Sequence, residues 1–239
     1  LIRSREGAEN GIFPFFTSVL PDSSRGVQMF IQTLFKSPVQ FLTICVILVF
    51  SICLHEYCHA WMAYREGDDS ASEYMTLNPL RQMGLMSLLM MAIIGIAWGA
   101  VPVDVSRFRG RWSRLRVALA GPAANLFLFL LASLVFILFG IFRPDGLNHL
   151  IGPVMGVTFL LGMYNFTLML FNLLPVPGLD GWIAASELFP RLKAVSSEFA
   201  KGAMLFLILL AFFGVQYLFA ASAWVMQMMI ALGAHLGGA

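Results

Sequence analysis

Charge is scarce in this sequence: only 12% of its 239 residues are Asp, Glu, Lys or Arg, about half the roughly 25% usual for soluble domains. That shortage excludes a water-soluble enzyme. A disordered chain is excluded by the 59% hydrophobic content and a mean hydropathy of +0.81, because disorder requires low hydrophobicity and high net charge. The net charge of +2 is too small and too scattered for a nucleic-acid surface, so no nucleic-acid partner is expected. Cysteine is rare as well. Cys45, Cys53 and Cys58 share one apolar run at spacings that do not suit a disulfide along a single helix, and no oxidising compartment is implied. Internal repeats are absent, and no polar stretch is long enough to form a separate soluble domain. The chain opens on Leu1 rather than Met, and Leu1 to Asn10 is too charged for a signal-peptide core; neither enters the fold reading.

What the sequence has is long uncharged runs. A hydrocarbon core of about 30 Å needs roughly 20 helical residues, and Ser37–Leu54, Met83–Val103, Val117–Phe142, Leu150–Leu179 and Gly202–Ala234 all qualify or come close. Gly11–Phe35 is apolar but broken by Pro14, Pro21 and a polar turn, which predicts a segment lying at the interface. The Met83–Val103 run carries Gly84, Gly95 and Gly99 and ends near Pro102, a poor composition for an unbroken helix. The expected fold is therefore an all-α polytopic membrane protein of about four transmembrane helices plus a re-entrant or hairpin segment at 83–103, with room there for short β structure. Its parts are an interfacial segment 1–36, a membrane core 37–201 and a C-terminal transmembrane segment 202–239. Arg107, Arg109, Arg111, Arg114 and Arg116 crowd the connection before the third run, which by the positive-inside tendency is cytoplasmic.

His55-Glu56-Tyr57-Cys58-His59 stands at the end of the first run. On a helix, imidazoles four apart project from one face and can grip one Zn²⁺, with the adjacent glutamate placed for proton transfer. Ionisable side chains inside membrane runs are costly and usually functional, which weighs against a plain pair of helix-end histidines. Catalytic zinc normally takes three protein ligands and keeps a position for water. His149 and His235 lie in a short connection and a tail, and Glu66, Asp68, Asp69 and Glu73 form a charged loop. Asp180 differs, because it follows Asn172-Leu173-Leu174-Pro175-Val176-Pro177-Gly178-Leu179, where two prolines end the helix and extend the chain. Unwound backbone at that depth must line a cavity or be buried in protein, so it can aim a carboxylate inward.

The paired histidines followed by Asn172-x-x-Pro175-x-x-x-Leu179-Asp180-Gly181 resemble the site-2 protease family of intramembrane zinc metalloproteases. The similarity extends over Leu77-Asn78-Pro79-Leu80 and Ala120-Gly121-Pro122-Ala123-Ala124-Asn125, from about Ser51 to Pro190, and is closest to short bacterial members without an appended sensor domain. The resemblance implies that His55, His59 and Asp180 bind zinc, that Glu56 activates water and that Asn172 lies near the substrate carbonyl. It also implies an endopeptidase cutting peptide bonds in or near transmembrane segments of membrane-protein substrates, in a bacterial inner membrane with the site near the cytoplasmic side. One departure is that Arg81-Gln82-Met83-Gly84 stands where many relatives have a His and an Asp-Pro-x-Gly turn.

A parity argument tests the ligand set without the resemblance. His55 lies roughly 24 Å along a helix from Val39. If all three following runs crossed the bilayer, Asp180 would emerge on the opposite face, of order 20 Å or more from the histidines. One run must therefore turn back, and the glycine-rich 83–103 is the candidate. The rival class is a zinc-binding transporter or a catalytically silent scaffold; transporters tend to show repeated broken helices, whereas here one run is broken and none is repeated.

Overall fold

The fold comes from a computed structural model that describes residues 31–142, 148–194, 197–209 and 214–238. The expected interfacial segment 1–36 lies outside the described residues except for its last six. Among these, α1 (Gln32–Lys36) is a short turn of helix tied at Ile31 N–H to the Ile93 carbonyl (3.1 Å).

Helix α2 (Pro38–Glu66) starts where Ser37 accepts a hydrogen bond from Gln40 N–H and Pro38 fills the first turn, a position that needs no N–H partner. The helix does not stop at Leu54. Nothing between Leu54 and Glu66 breaks it, so the histidine motif sits inside a continuous helix that ends only at Gly67, with φ 116°. That left-handed conformation closes a helix and is accessible to glycine without strain.

The 83–103 run forms a hairpin. After α3 (Pro79–Gln82), α4 (Gly84–Ile94) has 11 residues and rises only about 16 Å, too short to cross. Gly95, at φ 78°, ends it, and the chain returns extended. Ser87 Oγ donates to the Trp98 carbonyl (2.7 Å) and accepts from Trp98 N–H (2.9 Å). Ala100 N–H reaches the Gln82 carbonyl (3.1 Å), so residue 100 is back beside the residue where the excursion began. No β-strand forms among the described residues; the returning chain pairs with a helix side chain and a helix-end carbonyl, and no second strand lies beside it. Gln82 also explains how the departure from the usual turn is accommodated. Its buried amide donates to the Tyr74 and Thr76 carbonyls (2.6 and 2.7 Å), fixing the entry to the hairpin.

Helix α5 (Ser113–Phe142) is central: α2, α6 (Asn148–Asn172), α7 (Asp180–Leu188) and α9 (Val215–Leu236) all pack on it. Phe129, Phe136, Phe159, Met163 and Met226 fill the core with Ile47 and Leu48 of α2. Gly140 and Gly233 let the backbones of α5 and α9 touch, as small residues do in membrane interfaces. Helix α6 ends at Asn172, not Leu179, and residues 173–179 turn the chain into α7 at Asp180. The 202–234 run is carried by α8 (Ser197–Leu209) and α9. Among the described residues four helices are long and apolar enough to span a membrane, namely α2, α5, α6 from Gly152, and α9. The protein is an all-α integral membrane protein with a hairpin between its first two spans.

Single cysteines at the exposed Arg81 and Ser106 positions, in an otherwise cysteine-free chain, will react with a membrane-impermeant maleimide from the same side of sealed vesicles. Reaction from opposite sides would mean that residues 83–103 cross.

Candidate metal centre

On α2 the four-residue spacing puts His55 and His59 on one face, with their Nε2 atoms 2.9 Å apart. Asp180, the first residue of α7, brings Oδ2 to 3.1 Å from His55 Nε2 and 3.2 Å from His59 Nε2. The three residues sequence reading named as ligands are thus together, and they form the only potential metal-holding group of His, Cys, Asp and Glu found among the described residues. Cys58 is not in it, and His235 is exposed at the far end of α9.

The chemistry of the donors decides what they can hold. His59 Nδ1 is 2.7 Å from the Val117 carbonyl, which can only accept, so Nδ1 carries the proton and Nε2 the lone pair. His55 Nδ1 is 2.6 Å from Asn125 Oδ1, which likewise leaves its Nε2 lone pair facing the cluster. Two lone pairs and a carboxylate oxygen at about 3 Å repel one another unless a cation lies among them. Neighbouring ligand atoms on a tetrahedron of zinc bonds stand about 3.3 Å apart, close to the separations here, and a nitrogen-rich set with one carboxylate suits zinc. The residues fit the ion.

Helix α5 walls the site. The Val117 carbonyl, Gly121 and Asn125 lie on one of its faces, each four residues from the next. A Cβ at Gly121 would collide with both Nε2 atoms, so the space beside the two imidazoles exists because residue 121 has no side chain. Glu56 is buried against the returning extended segment of the hairpin, where a Cβ at Gly99 would come within 2.5 Å of its Oε1. Gly181 lets the start of α7 rest on the Leu173 and Leu174 carbonyls, which sets the height of Asp180. A cavity of about 400 Å³ joins His55, Glu56, His59, Asp180, Asn172 and Arg114. Asn172 lines it, but one of its amide hydrogens goes to the Leu168 carbonyl (3.0 Å), leaving one for any other partner.

Comparison with known proteins agrees with this geometry. The family model for peptidase family M50 matches residues 43–145. The chain is 33% identical over 184 residues to YwhC of Bacillus subtilis, covering 72% of the chain and 82% of that relative. It is 35% identical over 159 residues to Rip2 of Mycolicibacterium smegmatis (61% and 58%) and 34% identical over 185 residues to Rip2 of Mycobacterium tuberculosis (70% and 68%). All three are named as zinc metalloproteases. The chain belongs to peptidase family M50, the site-2 protease family. No solved structure matches it significantly. This M50 peptidase is a membrane-embedded zinc metalloprotease, and zinc is its cofactor.

Sequence reading missed several residues of the M50 site. Gly99 reads from the sequence as one of the glycines that break the 83–103 run, Asn125 stands inside a quoted motif without a role, and Asn165 is not singled out at all. The Val117 carbonyl is backbone and leaves no mark in the sequence. Gly121 stood inside a quoted motif, so a signal existed, but its steric role needed coordinates.

Replacing Gly121 by Ala will lower zinc affinity about tenfold or more, the scale on which disturbance close around a zinc site is felt, while the protein remains folded. Metal analysis after dialysis against a graded chelator series reads the loss; unchanged zinc retention would show that the imidazoles do not converge beside residue 121.

Proposed function

We propose that His55, His59 and Asp180 hold the zinc, that Glu56 is the general base and acid, and that this endopeptidase cuts transmembrane segments of protein substrates from the cytoplasmic side of a bacterial inner membrane. The observation that carries this reading is the meeting of Asp180 with two histidines 121 and 125 positions earlier in a buried cleft. Zinc bound there would supply Lewis acidity, lowering the pKa of water to about 7. Glu56, next to the first ligand on the same helix, takes the water's proton and passes it to the leaving amine. The free amide hydrogen of Asn172 faces the scissile carbonyl and stabilises its developing negative charge.

A substrate helix hides its amides in internal hydrogen bonds and must unwind before it is cut, and backbone groups exposed in lipid cost several kcal/mol each. The returning strand offers them partners. Trp98 and Ala100 spend backbone groups on Ser87 and Gln82. Alternate residues of extended chain aim opposite ways, so Gly99 and Val101, both lining the cavity, present their edge to the unwound peptide. The cytoplasmic placement draws support from the cavity's lining, which includes Val105, Phe108 and Arg114 of the arginine-rich connection.

Glu56→Gln will retain zinc and lose cleavage of a transmembrane reporter by about 10²-fold or more, the usual contribution of a general base. A scaffold that merely holds a partner helix would keep its full effect in this variant. Gly99→Ala, whose methyl group meets the Glu56 carboxylate, will lower kcat at unchanged zinc content. An undiminished rate would place Glu56 elsewhere during the reaction.

A further inference from the structure

We propose that Asn165, which touches neither zinc nor its ligands, is a positioning residue that sets the tautomer of His55 and thereby its ability to bind metal. The inference rests on the reading of His55 as a ligand.

His59 and His55 are oriented by different means. The partner of His59 is a main-chain carbonyl, which accepts and can do nothing else. The partner of His55 is a side-chain amide, which can present either end. With Oδ1 forward, Asn125 requires a proton on His55 Nδ1 and leaves the Nε2 lone pair facing Asp180. With Nδ2 forward, the ring must carry its proton on Nε2 and cannot bind a metal there. Something must decide which end Asn125 shows.

The decision is traceable bond by bond. Asn165 is fully buried on α6, and its Nδ2 lies 2.8 Å from the Leu161 carbonyl and 2.9 Å from Ser51 Oγ. The Leu161 carbonyl accepts only, so this end of the amide must be the NH2 group. Asn165 therefore turns Oδ1 toward Asn125, at 2.9 Å from Asn125 Nδ2. With its Nδ2 committed, Asn125 has only Oδ1 left for His55 Nδ1. Ser51, Asn125 and Asn165 are all 0% exposed, so no water can supply a different answer, and unpaired buried amide groups are too costly to leave. A carbonyl on α6 thus fixes a proton on α2 through two amides. The relay also returns to α2, because Ser51 lies one turn before His55, and it pins α2, α5 and α6 at one depth.

Asn165→Leu removes the committed acceptor, so that Asn125 can turn over within the same shape. Zinc affinity, read by competition with a chromophoric chelator on the full-length protein in detergent, will fall by about 10- to 100-fold, the range for lost second-layer partners of a metal-binding histidine. Nitrogen NMR of zinc-free protein will show the His55 proton moving from Nδ1 to Nε2. The decisive variant is Asn165→Leu combined with Asn125→Asp: a carboxylate accepts whichever way it turns, so the pair will regain wild-type zinc affinity to within about threefold, the triad being a common one in zinc sites. Asn165→Asp still offers Asn125 an acceptor but faces the Leu161 carbonyl with another oxygen, so it will lose thermal stability while keeping zinc, which keeps the inference testable if the leucine variant does not fold. Wild-type affinity in Asn165→Leu, or no rescue by Asn125→Asp, would overturn the proposal. His55→Ala separates the two readings: full zinc retention there would refute the ligand assignment itself, whatever residue 165 does.

Discussion

Two imidazole lone pairs and a carboxylate oxygen lie within 3.2 Å of one another in a buried cleft, an arrangement that is tolerable only around a cation. Burying one unpaired carboxylate costs several kcal/mol even after relaxation, and turning two lone pairs toward it adds to that cost. A zinc ion held there would reverse the sign of all three interactions. The fold is therefore organised around an ion-sized gap, and its unusual features are those that keep the gap open and the donors aimed. Gly121 removes the side chain that would fill it, the Val117 carbonyl and Asn125 set the two rings, and Gly181 lets α7 settle where its first residue reaches them.

Chain topology answers to the same constraint. Asp180 comes 121 residues after His59, and it can return to the depth of the histidines only if an even number of crossings lies between them. Helices α5 and α6 supply two, and the 83–103 run supplies none because it doubles back at Gly95. The hairpin then brings Gly99 against Glu56, so the segment that corrects the parity also covers the carboxylate proposed as the general base. Buried Asp68 holds the far end of the returning strand, accepting from Asp104 N–H at 2.7 Å, and Arg116 grips Glu66 at the end of α2 (2.6 Å). The connection that carries the arginine cluster is thus tied to the helix that carries the histidines.

How much of this was legible in the sequence follows from how local each cause is. The histidine pair is a property of one helix turn, and the broken segment before Asp180 is a property of two prolines, so both could be read directly. The hairpin was legible less directly, from glycine content and from the demand that the donors meet. Helix ends were misplaced where hydropathy stood in for geometry: α2 outlasts its apolar run by 12 residues because only Gly67 stops it, and α6 stops seven residues early because Pro175 cannot continue it. Short β structure did not form, since a lone extended segment lacks a strand to pair with. The roles of Gly121, Gly99 and Asn165 were not legible, because each depends on a neighbour at least 40 positions away. Nothing near them in the chain records that neighbour.

Hydrolysis below a membrane surface needs water and an unwound peptide at one point, and the cleft meets both needs with different walls. One wall is made of the polar connection, where Arg114 lines the cavity with its guanidinium 3.4 Å from Glu187 of α7. Arg114 lies seven residues before Gly121 on α5, about 10 Å along the helix axis, toward the polar connection. The opposite approach is through apolar helices and the extended strand of the hairpin. On the proposed reading, a peptide arriving from that side exchanges its internal hydrogen bonds for those of the returning extended segment, while water arrives along the charged wall, so neither has to be carried through the medium that excludes it. The ion pair between α5 and α7 also joins the helix that orients both imidazoles to the helix that supplies the carboxylate. Hydration at the mouth and alignment of the donors are therefore governed by the same two helices, which is why a membrane-buried site can stay wet without losing the fixed spacing its metal requires.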